Sequence, residues 1–458
     1  MNDLGEHSSV EELLSDASER ACRYLEGLSG QRVFPGRDEL LRLSRFGEAL
    51  PENGVTPSKV LALLDECGSP ATVASAGGRY FGFVTGGSLP IALAAQWLAA
   101  AWDQNACLRV MSPVSARIED ITNSWLRDLF GLSDGWAVGF VTGATMANFS
   151  ALAAARHALL ARLGWDVEAQ GLFGAPSLRV VVGEDVHVSM LKALALAGFG
   201  RSRVEKVPID AQGRMRADEL PPLDARTIVC AQVGNVNTGA CDPIDAICER
   251  SQEAGAWVHV DGAFGLWARA SSRRAHLVRG IEHAQSLAMD CHKWLNVPYD
   301  CGVVFVRDEP ALRAAMSLQA AYLPSESARQ PGHYVPDASR RARAIEVWAA
   351  LLSLGKRGLD EMIERSCRLA ARFADGLLGG GAQILNEVVL NQVLVSFGTD
   401  DRTKRVINAV QEDGTCWCGG TEWRGSAAMR ISVSCWATTE DDIDASIAAI
   451  LHIASSVA

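Results

Sequence analysis

Short apolar runs alternate with longer amphipathic stretches through the middle of the chain. The runs are VGFVT, LRVVVG, RTIVCAQVG, AWVHVD and GVVFV, and they lie between about Gly135 and Arg307. Segments with a helical pattern, such as ANFSALAAARHALLARLG and DPIDAICERSQEAG, separate them. Strands that alternate with helices of this length are typical of βαβ crossovers. The pattern therefore predicts an α/β fold with a mainly parallel central sheet.

The pattern changes on both sides of this central region. Residues 1–75 have an amphipathic helical pattern with a break at LSGQRVFPG. A loop rich in Pro, Gly and Ser, YLPSESARQPGHYVPDASRR, precedes a strongly helical segment from Ala342 to about Leu378, after which strands and helices mix. Because the chain exceeds the size of one hydrophobic core, we predict an N-terminal helical segment over 1–75, a large α/β domain over 76–310, and a mobile loop with a smaller α+β C-terminal domain over 311–458.

Composition narrows the class of protein. Apolar residues make up 48% of the 458 residues and charged residues 21%, as in ordinary globular enzymes, and the net charge of −11 disfavours nucleic-acid and anionic-membrane partners. The acidic start is not typical of a targeting peptide. The most apolar stretch, GGSLPIALAAQWLAAAWDQ, contains a proline and is too short to span a membrane. The 12 scattered cysteines are typical of free thiols in a reducing compartment, so we expect a cytoplasmic protein.

Two candidate ligand-binding features follow predicted strands, where ligands gather in an open α/β sheet. Gly143, Ala144 and Thr145 follow VGFVT and precede a helix, whose N-terminal N–H groups favour a phosphate. The alternative is that the small residues of this turn serve only the packing between strand and helix. Asp261 ends AWVHVD, and a carboxylate there needs a partner. That partner is either a structural ion pair or helix cap, or the cationic ring of a bound heterocycle.

Two further candidates lie at the same edge of the predicted sheet. Lys293 follows the strand-like SLAMD, and burial of a lysine lowers its pKa and makes it a nucleophile that forms Schiff bases. The alternative is a lysine that only covers apolar surface. His187 opens a helix after LRVVVG. A phosphate-binding turn, a carboxylate, an aromatic plate and a Schiff-base lysine are together what pyridoxal 5′-phosphate requires.

Three motifs resemble a known family. HVDGAFG, DCHKWLNVPYDCG and VTGATMANFSALAAAR resemble the group II pyridoxal-phosphate-dependent amino acid decarboxylases, and the likeness runs from RYFGFVTGGSLP to MRISVSCWATTEDD. The resemblance implies the type I (aspartate-aminotransferase-like) fold and pyridoxal 5′-phosphate as cofactor. It also implies decarboxylation of an L-amino acid to the amine and CO2 through a Lys293 Schiff base, in a homodimer with shared active sites.

The resemblance also implies a role for each candidate residue. Lys293 matches the Schiff-base lysine, and Asp261 matches the aspartate that pairs with the pyridinium nitrogen. His187 matches the imidazole stacked above the ring, and Ala263 the small residue beneath it. The remaining matches concern the phosphate and the substrate pocket, and they are Gly143, Ala144, Thr145 and His292 for the phosphate and Phe83, Val84 and Thr85 for the pocket.

The sequence departs from the family at three places. Cys291 stands where the family often has proline. Val236 lies roughly where aromatic amino acid decarboxylases carry a threonine near the cofactor, and Asn235 or Asn237 is a substitute for it. Tyr334 is the nearest candidate for the loop tyrosine that protonates the carbanion, although its spacing from the following Arg-Arg pair differs from the family pattern. The alternative proton donor is His187 or another group.

Several functions stay open. One alternative is an aminotransferase, because Arg430 lies where many type I enzymes bind an α-carboxylate. Another is a decarboxylating aldehyde synthase. The alternative role for Arg430 is a strand-end ion pair. A non-catalytic pyridoxal-phosphate-binding protein is a further alternative.

The spacing of Cys416 and Cys418 is not the usual zinc spacing, so we expect no metal. Trp417 is expected in the core. The apolar segment around Phe83 favours an aromatic or bulky amino acid as substrate.

Overall fold

The structure is a computed structural model, and it describes residues 9–47, 49–317 and 328–457. The α-helices of these residues are α1 (Val10–Gly27), α2 (Arg37–Leu41), α3 (Pro57–Leu63), α4 (Pro90–Trp102), α5 (Pro113–Phe130), α6 (Ala144–Ala161), α7 (Val167–Gln170), α8 (Val188–Leu196), α9 (Ile244–Glu253), α10 (Glu309–Met316), α11 (Ala344–Gly379), α12 (Asp400–Asp413) and α13 (Glu440–Ser456).

The strands form two separate sheets. The large sheet contains β1 (Ala137–Val141), β2 (Arg179–Gly183), β3 (Glu205–Val207), β4 (Thr227–Gln232), β5 (Trp257–Asp261), β6 (Ser286–Asp290) and β7 (Gly302–Val306). The small sheet contains β8 (Gln383–Ile384), β9 (Gln392–Ser396), β10 (Gly419–Trp423) and β11 (Ser426–Ser432).

The large sheet has the strand order β1-β7-β6-β5-β4-β2-β3. Strands β2 to β6 pair in parallel, and β7 lies antiparallel between β1 and β6. The prediction of an α/β fold with a mainly parallel central sheet is therefore confirmed. Every residue of β5, β6 and β7 is buried, as expected for strands covered by helices on both faces. The short strand β3 was not predicted because its sequence, EKV, lacks an apolar run.

Helix α6 connects the large sheet to the candidate site. It begins directly after β1 and is rich in alanine, and most of its side chains are buried against β6, β7, α8 and α10. Small side chains allow this close packing. The N-terminal turn of α6 therefore lies beside the ends of β5 and β6, where Asp261 and Asp290 are found.

The small sheet is antiparallel in the order β10-β11-β9-β8. Helices α11 and α12 pack against it, and α13 packs on α11 and α12. This agrees with the predicted smaller α+β unit at the C-terminal end. Helix α11 is interrupted at Gly355, whose φ of 59° is unfavourable for other residues. Strand β10 was not predicted because its sequence, GGTEW, is rich in glycine and polar residues.

The N-terminal region is helical and exposed. Helix α1 has no buried residue, and Arg20 joins it to Asp65 by an ion pair of 2.8 Å. The apolar stretch after Gly86 forms α4, which begins with Pro90 and exposes several large apolar side chains. Every helix in the described ranges is too short or too polar to cross a bilayer. All 12 cysteines are free, and no cluster of potential metal ligands occurs among the residues that the structure describes.

Candidate active site

Two glycines bring the β1–α6 turn against the β6–β7 region. A Cβ atom at Gly302 would lie 2.5 Å from Gly143 Cα. A Cβ atom at Gly143 would lie 3.2 Å from His292 Cε1 and 3.3 Å from Asp290 Oδ1. A side chain at Gly302 would collide with the turn backbone, and one at Gly143 would crowd His292 and Asp290. The predicted phosphate turn and the His-Lys motif therefore belong to one site.

Asp290, the last residue of β6, links the two parts of this site. Its Oδ1 accepts a hydrogen bond from Ala144 N at 2.6 Å, and its Oδ2 lies 2.9 Å from Lys293 Nζ. The side chain is buried, and its backbone oxygen accepts a hydrogen bond from Trp267 Nε1 at 2.9 Å. Asp290 was not among the predicted site residues. The available signal was a carboxylate at a strand end, three residues before a buried lysine.

The pairing with Asp290 changes the expected chemistry of Lys293. Burial lowers the pKa of Lys293, but the charge of Asp290, the hydrogen bond to it and the charge of Asp261 more than offset this, so the pKa lies above its ordinary value. The prediction that burial leaves Lys293 with a lowered pKa is therefore wrong. The Asp290 carboxylate at 2.9 Å therefore favours the protonated form of Lys293.

Asp261 ends β5 as predicted, and it is surrounded by neutral donors. Its Oδ2 accepts a hydrogen bond from Asn148 Nδ2 at 3.1 Å, and its Oδ1 accepts one from Ala263 N at 3.1 Å. Asp261 lies on the strand next to that of Asp290 and is buried. In the described ranges no cation lies within 4.0 Å of its carboxylate. Its negative charge is available to a cationic ligand.

His187 is the N-cap residue of α8 and faces the same charges. Its Nδ1 accepts a hydrogen bond from Ser189 N at 3.2 Å, so in the neutral ring the proton is on Nε2. Burial lowers the pKa of His187, and the charges of Lys293 and Arg430 lower it further, whereas Asp261 opposes them. The imidazole is neutral at neutral pH, and it lies near both the lysine and the aspartate.

His292 closes the site on the side of the phosphate turn. Its Nδ1 accepts a hydrogen bond from Cys301 N at 3.1 Å, which leaves the proton on Nε2, 3.6 Å from Asp290 Oδ1. Burial lowers the pKa of His292. Tyr299 stacks on the imidazole with ring centroids 4.4 Å apart. His292 therefore offers an N–H group where an anion bound at the turn would lie.

The predicted substrate segment passes directly over the lysine. A Cβ atom at Gly86 would lie 1.9 Å from Lys293 O, so only glycine allows this approach. Phe83 and Val84 have φ of 53° and 55°, a left-handed conformation that is strained for these residues and common at functional sites. Val84 is buried in the core, whereas Phe83 is 64% exposed. Of these two, only Phe83 has an exposed side chain.

An aromatic wall lies beside this segment. The Trp417 ring stacks between Tyr80 and Phe83, at centroid distances of 5.2 and 5.4 Å. Gly82 makes the stack possible, because a Cβ atom there would lie 2.3 Å from the Trp417 ring. Burial raises the pKa of Tyr80 to about 12. Trp417 is only half-buried, so its assignment to the core is wrong.

Arg430 lies on β11, close to this wall. Burial lowers its pKa, and its charge acts on both Tyr80 and His187. In the described part of the chain, no carboxylate oxygen lies within 4.0 Å of its guanidinium. The interpretation as a strand-end ion pair is therefore not supported. An unpaired, half-buried guanidinium is suited to bind a ligand carboxylate.

Tyr334 lies in a different place. Its hydroxyl donates a hydrogen bond to Glu309 Oε1 at 2.5 Å, and Arg329 lies 4.3 Å above its ring. The residue is buried behind β1, where a Cβ atom at Gly139 would lie 2.6 Å from Tyr334 O. The structure does not bring the Tyr334 hydroxyl together with Lys293. The earlier part of the predicted mobile loop, 318–327, lies outside the described residues.

The asparagines considered as substitutes near the cofactor belong to a turn. Asn235 Oδ1 accepts hydrogen bonds from Asn237 N at 2.9 Å and Thr238 N at 3.3 Å. Asn237 Oδ1 accepts one from the Thr421 hydroxyl at 3.1 Å. These contacts join β4 to the small sheet. A direct role beside Lys293 stays a prediction.

The comparison with known families identifies the chain. The Pyridoxal-dependent decarboxylase conserved domain matches residues 72–398. The chain belongs to this family. This pyridoxal-phosphate-dependent decarboxylase is similar to the aromatic-L-amino-acid decarboxylase of Bacillus atrophaeus, with 25% identity over 91% of this chain and 90% of the relative. It is also similar to the acidic amino acid decarboxylase GADL1 of Mus musculus, with 29% identity over 65% of this chain and 56% of the relative.

Solved structures confirm the fold of the decarboxylase. The crystal structure of Oryza sativa TDC with PLP and tryptamine covers 100% of this chain and 99% of that one, with a TM-score of 0.91 and 20% identity. At this identity the likeness concerns the fold alone. The resemblance to group II decarboxylases, the type I fold and pyridoxal 5′-phosphate as cofactor are thereby confirmed.

The side chains of the site fit this cofactor. The decarboxylase provides an amine on Lys293, an Asp261 carboxylate without a cationic partner, and a neutral imidazole on His187. At the α6 N-terminus the Thr145 hydroxyl has no hydrogen-bond partner among the described residues, so it is free for a phosphate. The His292 Nε2–H group lies at the same turn.

Proposed function

We propose that the protein decarboxylates an L-amino acid with an aromatic or bulky side chain, giving the amine and CO2. The observation that carries this proposal is the convergence of Lys293, Asp261 and His187, with the segment from Tyr80 to Gly86 leading from the aromatic wall of Tyr80 and Trp417 to Lys293. Such a group of residues suits a pyridoxal-phosphate enzyme, and an apolar wall suits an apolar side chain.

Each residue is proposed to hold one part of the cofactor. Lys293 Nζ would attach covalently to its aldehyde carbon, and Asp261 would pair with its protonated ring nitrogen. The backbone of Ala144, the Thr145 hydroxyl and His292 would hold its phosphate. When bound, pyridoxal 5′-phosphate supplies an electron sink for the electron pair that CO2 leaves on Cα.

The substrate would bind between the wall and Arg430. The unpaired guanidinium of Arg430 docks a substrate carboxylate, and the exposed ring of Phe83 contacts the substrate side chain. That carboxylate leaves as CO2, so Arg430 loses its charge partner and holds the substrate more tightly than the amine product. This difference favours release of the product.

The proton for Cα is proposed to come from Lys293 rather than from Tyr334. The pKa of Lys293 lies above its ordinary value because the charges of Asp290 and Asp261 outweigh its burial, so Nζ carries a proton once it is free. Tyr334 is buried behind β1, and its hydroxyl is engaged with Glu309. Delivery of the proton leaves Lys293 as a free amine, ready to displace the product.

We further propose a homodimer. Support comes from α4, on which Ile91, Trp97, Leu98 and Trp102 are between 43% and 58% exposed in one protomer. Large apolar side chains close together on a surface are typical of an interface. Sedimentation of the purified protein should give twice the mass of one chain; a monomer at micromolar concentration would contradict this part of the proposal.

The proposed reaction is tested by product analysis with a panel of L-amino acids. We expect CO2 and equimolar amine from aromatic substrates, and neither from a Lys293→Ala variant. Lys356→Ala is the matched control, because Lys356 is an exposed lysine whose ion pair, within the described ranges, is with Asp128 at the surface. Aldehyde in place of amine would indicate an aldehyde synthase, and amino-group transfer without CO2 would indicate an aminotransferase. An acidic amino acid as the best substrate would overturn the proposed substrate class.

A further inference from the structure

A chain of four buried side chains leads from the core to Asp261. Trp257 Nε1 lies 2.9 Å from Ser286 Oγ, Ser286 Oγ lies 2.9 Å from His259 Nδ1, and His259 Nε2 lies 2.9 Å from Asn148 Oδ1. Asn148 Nδ2 then lies 3.1 Å from Asp261 Oδ2. We call this set of residues the Asp261 relay.

Strand periodicity explains how the relay forms. Trp257, His259 and Asp261 alternate along β5, so their side chains share the face that packs against α6. Ser286 is the direct neighbour of His259 on β6. Asn148 comes from α6, one helical turn after Ala144, which donates to the other aspartate of the site.

The direction of each hydrogen bond follows from its neighbours. The Asp261 carboxylate only accepts, so Asn148 must present its Nδ2 there and its Oδ1 to His259. His259 must then donate from Nε2, which leaves Nδ1 to accept from the Ser286 hydroxyl. The Trp257 N–H completes the chain because indole only donates. Each of the four side chains therefore donates one hydrogen bond, in the direction of Asp261.

The charge state of His259 fits this direction. Burial lowers the pKa of His259 to about 3, so the ring is neutral at neutral pH and carries one N–H group. That N–H group fixes the amide of Asn148. Without it, the amide of Asn148 could rotate and present its oxygen to the Asp261 carboxylate, where two acceptors would repel each other.

We propose that Asn148 and His259 are positioning residues for Asp261, holding its carboxylate in the orientation that pairs with the protonated ring nitrogen of the cofactor. This inference rests on the proposed role of Asp261. Neither residue touches the cofactor; His259 acts through Asn148, and Asn148 acts through Asp261.

The test uses the dissociation constant of pyridoxal 5′-phosphate and the pH dependence of its visible absorption in the full-length protein. In Asn148→Asp, a carboxylate of the same shape faces Asp261, and we expect the dissociation constant to rise about tenfold or more. His259→Leu should raise it several-fold and shift the pH midpoint of the absorption band. His259→Gln keeps an N–H donor and should restore most of the loss.

A matched control separates positioning from folding. Thr403 is buried in the C-terminal region, where its hydroxyl accepts a hydrogen bond from Phe397 N at 3.1 Å. Thr403→Val should lower the thermal midpoint without changing the absorption band or its pH midpoint. If His259→Leu behaves in the same way as this control, the positioning role is wrong.

A second comparison separates this inference from the proposed function. If Asp261→Ala leaves cofactor affinity and absorption unchanged, the proposed role of Asp261 itself fails. If Asp261→Ala weakens binding but Asn148→Asp and His259→Leu do not, only the relay is wrong. Equal effects of His259→Gln and His259→Leu would also contradict the relay, because the two differ in the donor that it requires.

Discussion

Two buried aspartates end neighbouring strands of the large sheet, yet their surroundings differ. Asp290 is neutralised within the protein by Lys293 at 2.9 Å, and it also accepts a hydrogen bond from a backbone N–H of α6. Among the residues that the structure describes, Asp261 accepts hydrogen bonds only from neutral donors, the Asn148 amide and the Ala263 N–H. Hydrogen bonds satisfy a carboxylate without cancelling its charge. The difference indicates that Asp290 pairs with the lysine, whereas the charge of Asp261 is available to the cofactor.

The largest expected effect comes from the lysine that the two aspartates share. Lys293→Ala should lower the rate of CO2 release by about a thousandfold or more, because it removes both the covalent attachment and the proposed proton donor. The rate is measured with saturating cofactor and compared with Lys356→Ala. A Lys293→Ala variant with wild-type turnover would contradict the whole assignment of the site.

Asp261 is expected to matter next. Asp261→Asn keeps the shape and removes the charge that holds a protonated ring nitrogen, so kcat should fall about a hundredfold. The visible absorption of the bound cofactor should change with it. Asp290→Asn in parallel is the sharpest comparison, and a larger fall in kcat for Asp290→Asn than for Asp261→Asn would reverse the roles assigned to the two aspartates.

Arg430 tests the substrate side of the same pocket. Arg430→Leu should raise KM about tenfold because the docked carboxylate loses its charge partner. Cofactor affinity should change little, since we assign Arg430 to the substrate. Steady-state kinetics and a cofactor titration of the same preparation distinguish the two effects. An unchanged KM would remove Arg430 from the substrate pocket.

Asp290 is expected to affect both the stability of the fold and the protonation of Lys293. The pKa of Lys293 is raised, so the pair stabilises the fold fully below the lysine's ordinary pKa of 10.5, and this contribution is lost as the pH rises through the raised value. Asp290→Asn should lower the free energy of unfolding by about 1 kcal/mol at neutral pH. This difference in the free energy of unfolding is measured by urea unfolding of the apoproteins at neutral pH and above pH 10.5. If the difference between variant and wild type is the same at high pH, the ion pair is contradicted.

The smallest effect on activity is expected at Tyr334. Tyr334→Phe removes the hydrogen bond to Glu309, which should cost about 1 kcal/mol of stability and change kcat less than twofold. Glu309→Gln is the matched partner variant. A fall in kcat of tenfold or more in Tyr334→Phe would instead support the loop tyrosine as the proton donor.

Much of the fold was predictable because burial leaves a clear pattern. Strands β1 and β7 are fully buried and read as continuous apolar runs, whereas β3 and β10 are short, polar or rich in glycine. The boundaries predicted for the three regions stay a prediction. Strand-end positions such as Asp261 follow from the topology of an open α/β sheet.

The parts of the site that were not predicted depend on contacts between distant segments. Asn148 is a buried polar residue in an alanine-rich helix, a signal that a partner exists but not which one. Trp417 joins the wall only because Gly82 leaves room for its ring. The effect of Asp290 on the pKa of Lys293 depends on a distance of 2.9 Å, which spacing along the chain does not give.

The central claim is tested most directly by measuring CO2 and amine together from aromatic L-amino acids, with wild type and Lys293→Ala side by side. The account predicts equal amounts of CO2 and amine from wild type, and neither from the variant. CO2 at the same rate from both proteins, or no CO2 from any amino acid in the panel with cofactor bound, would contradict it.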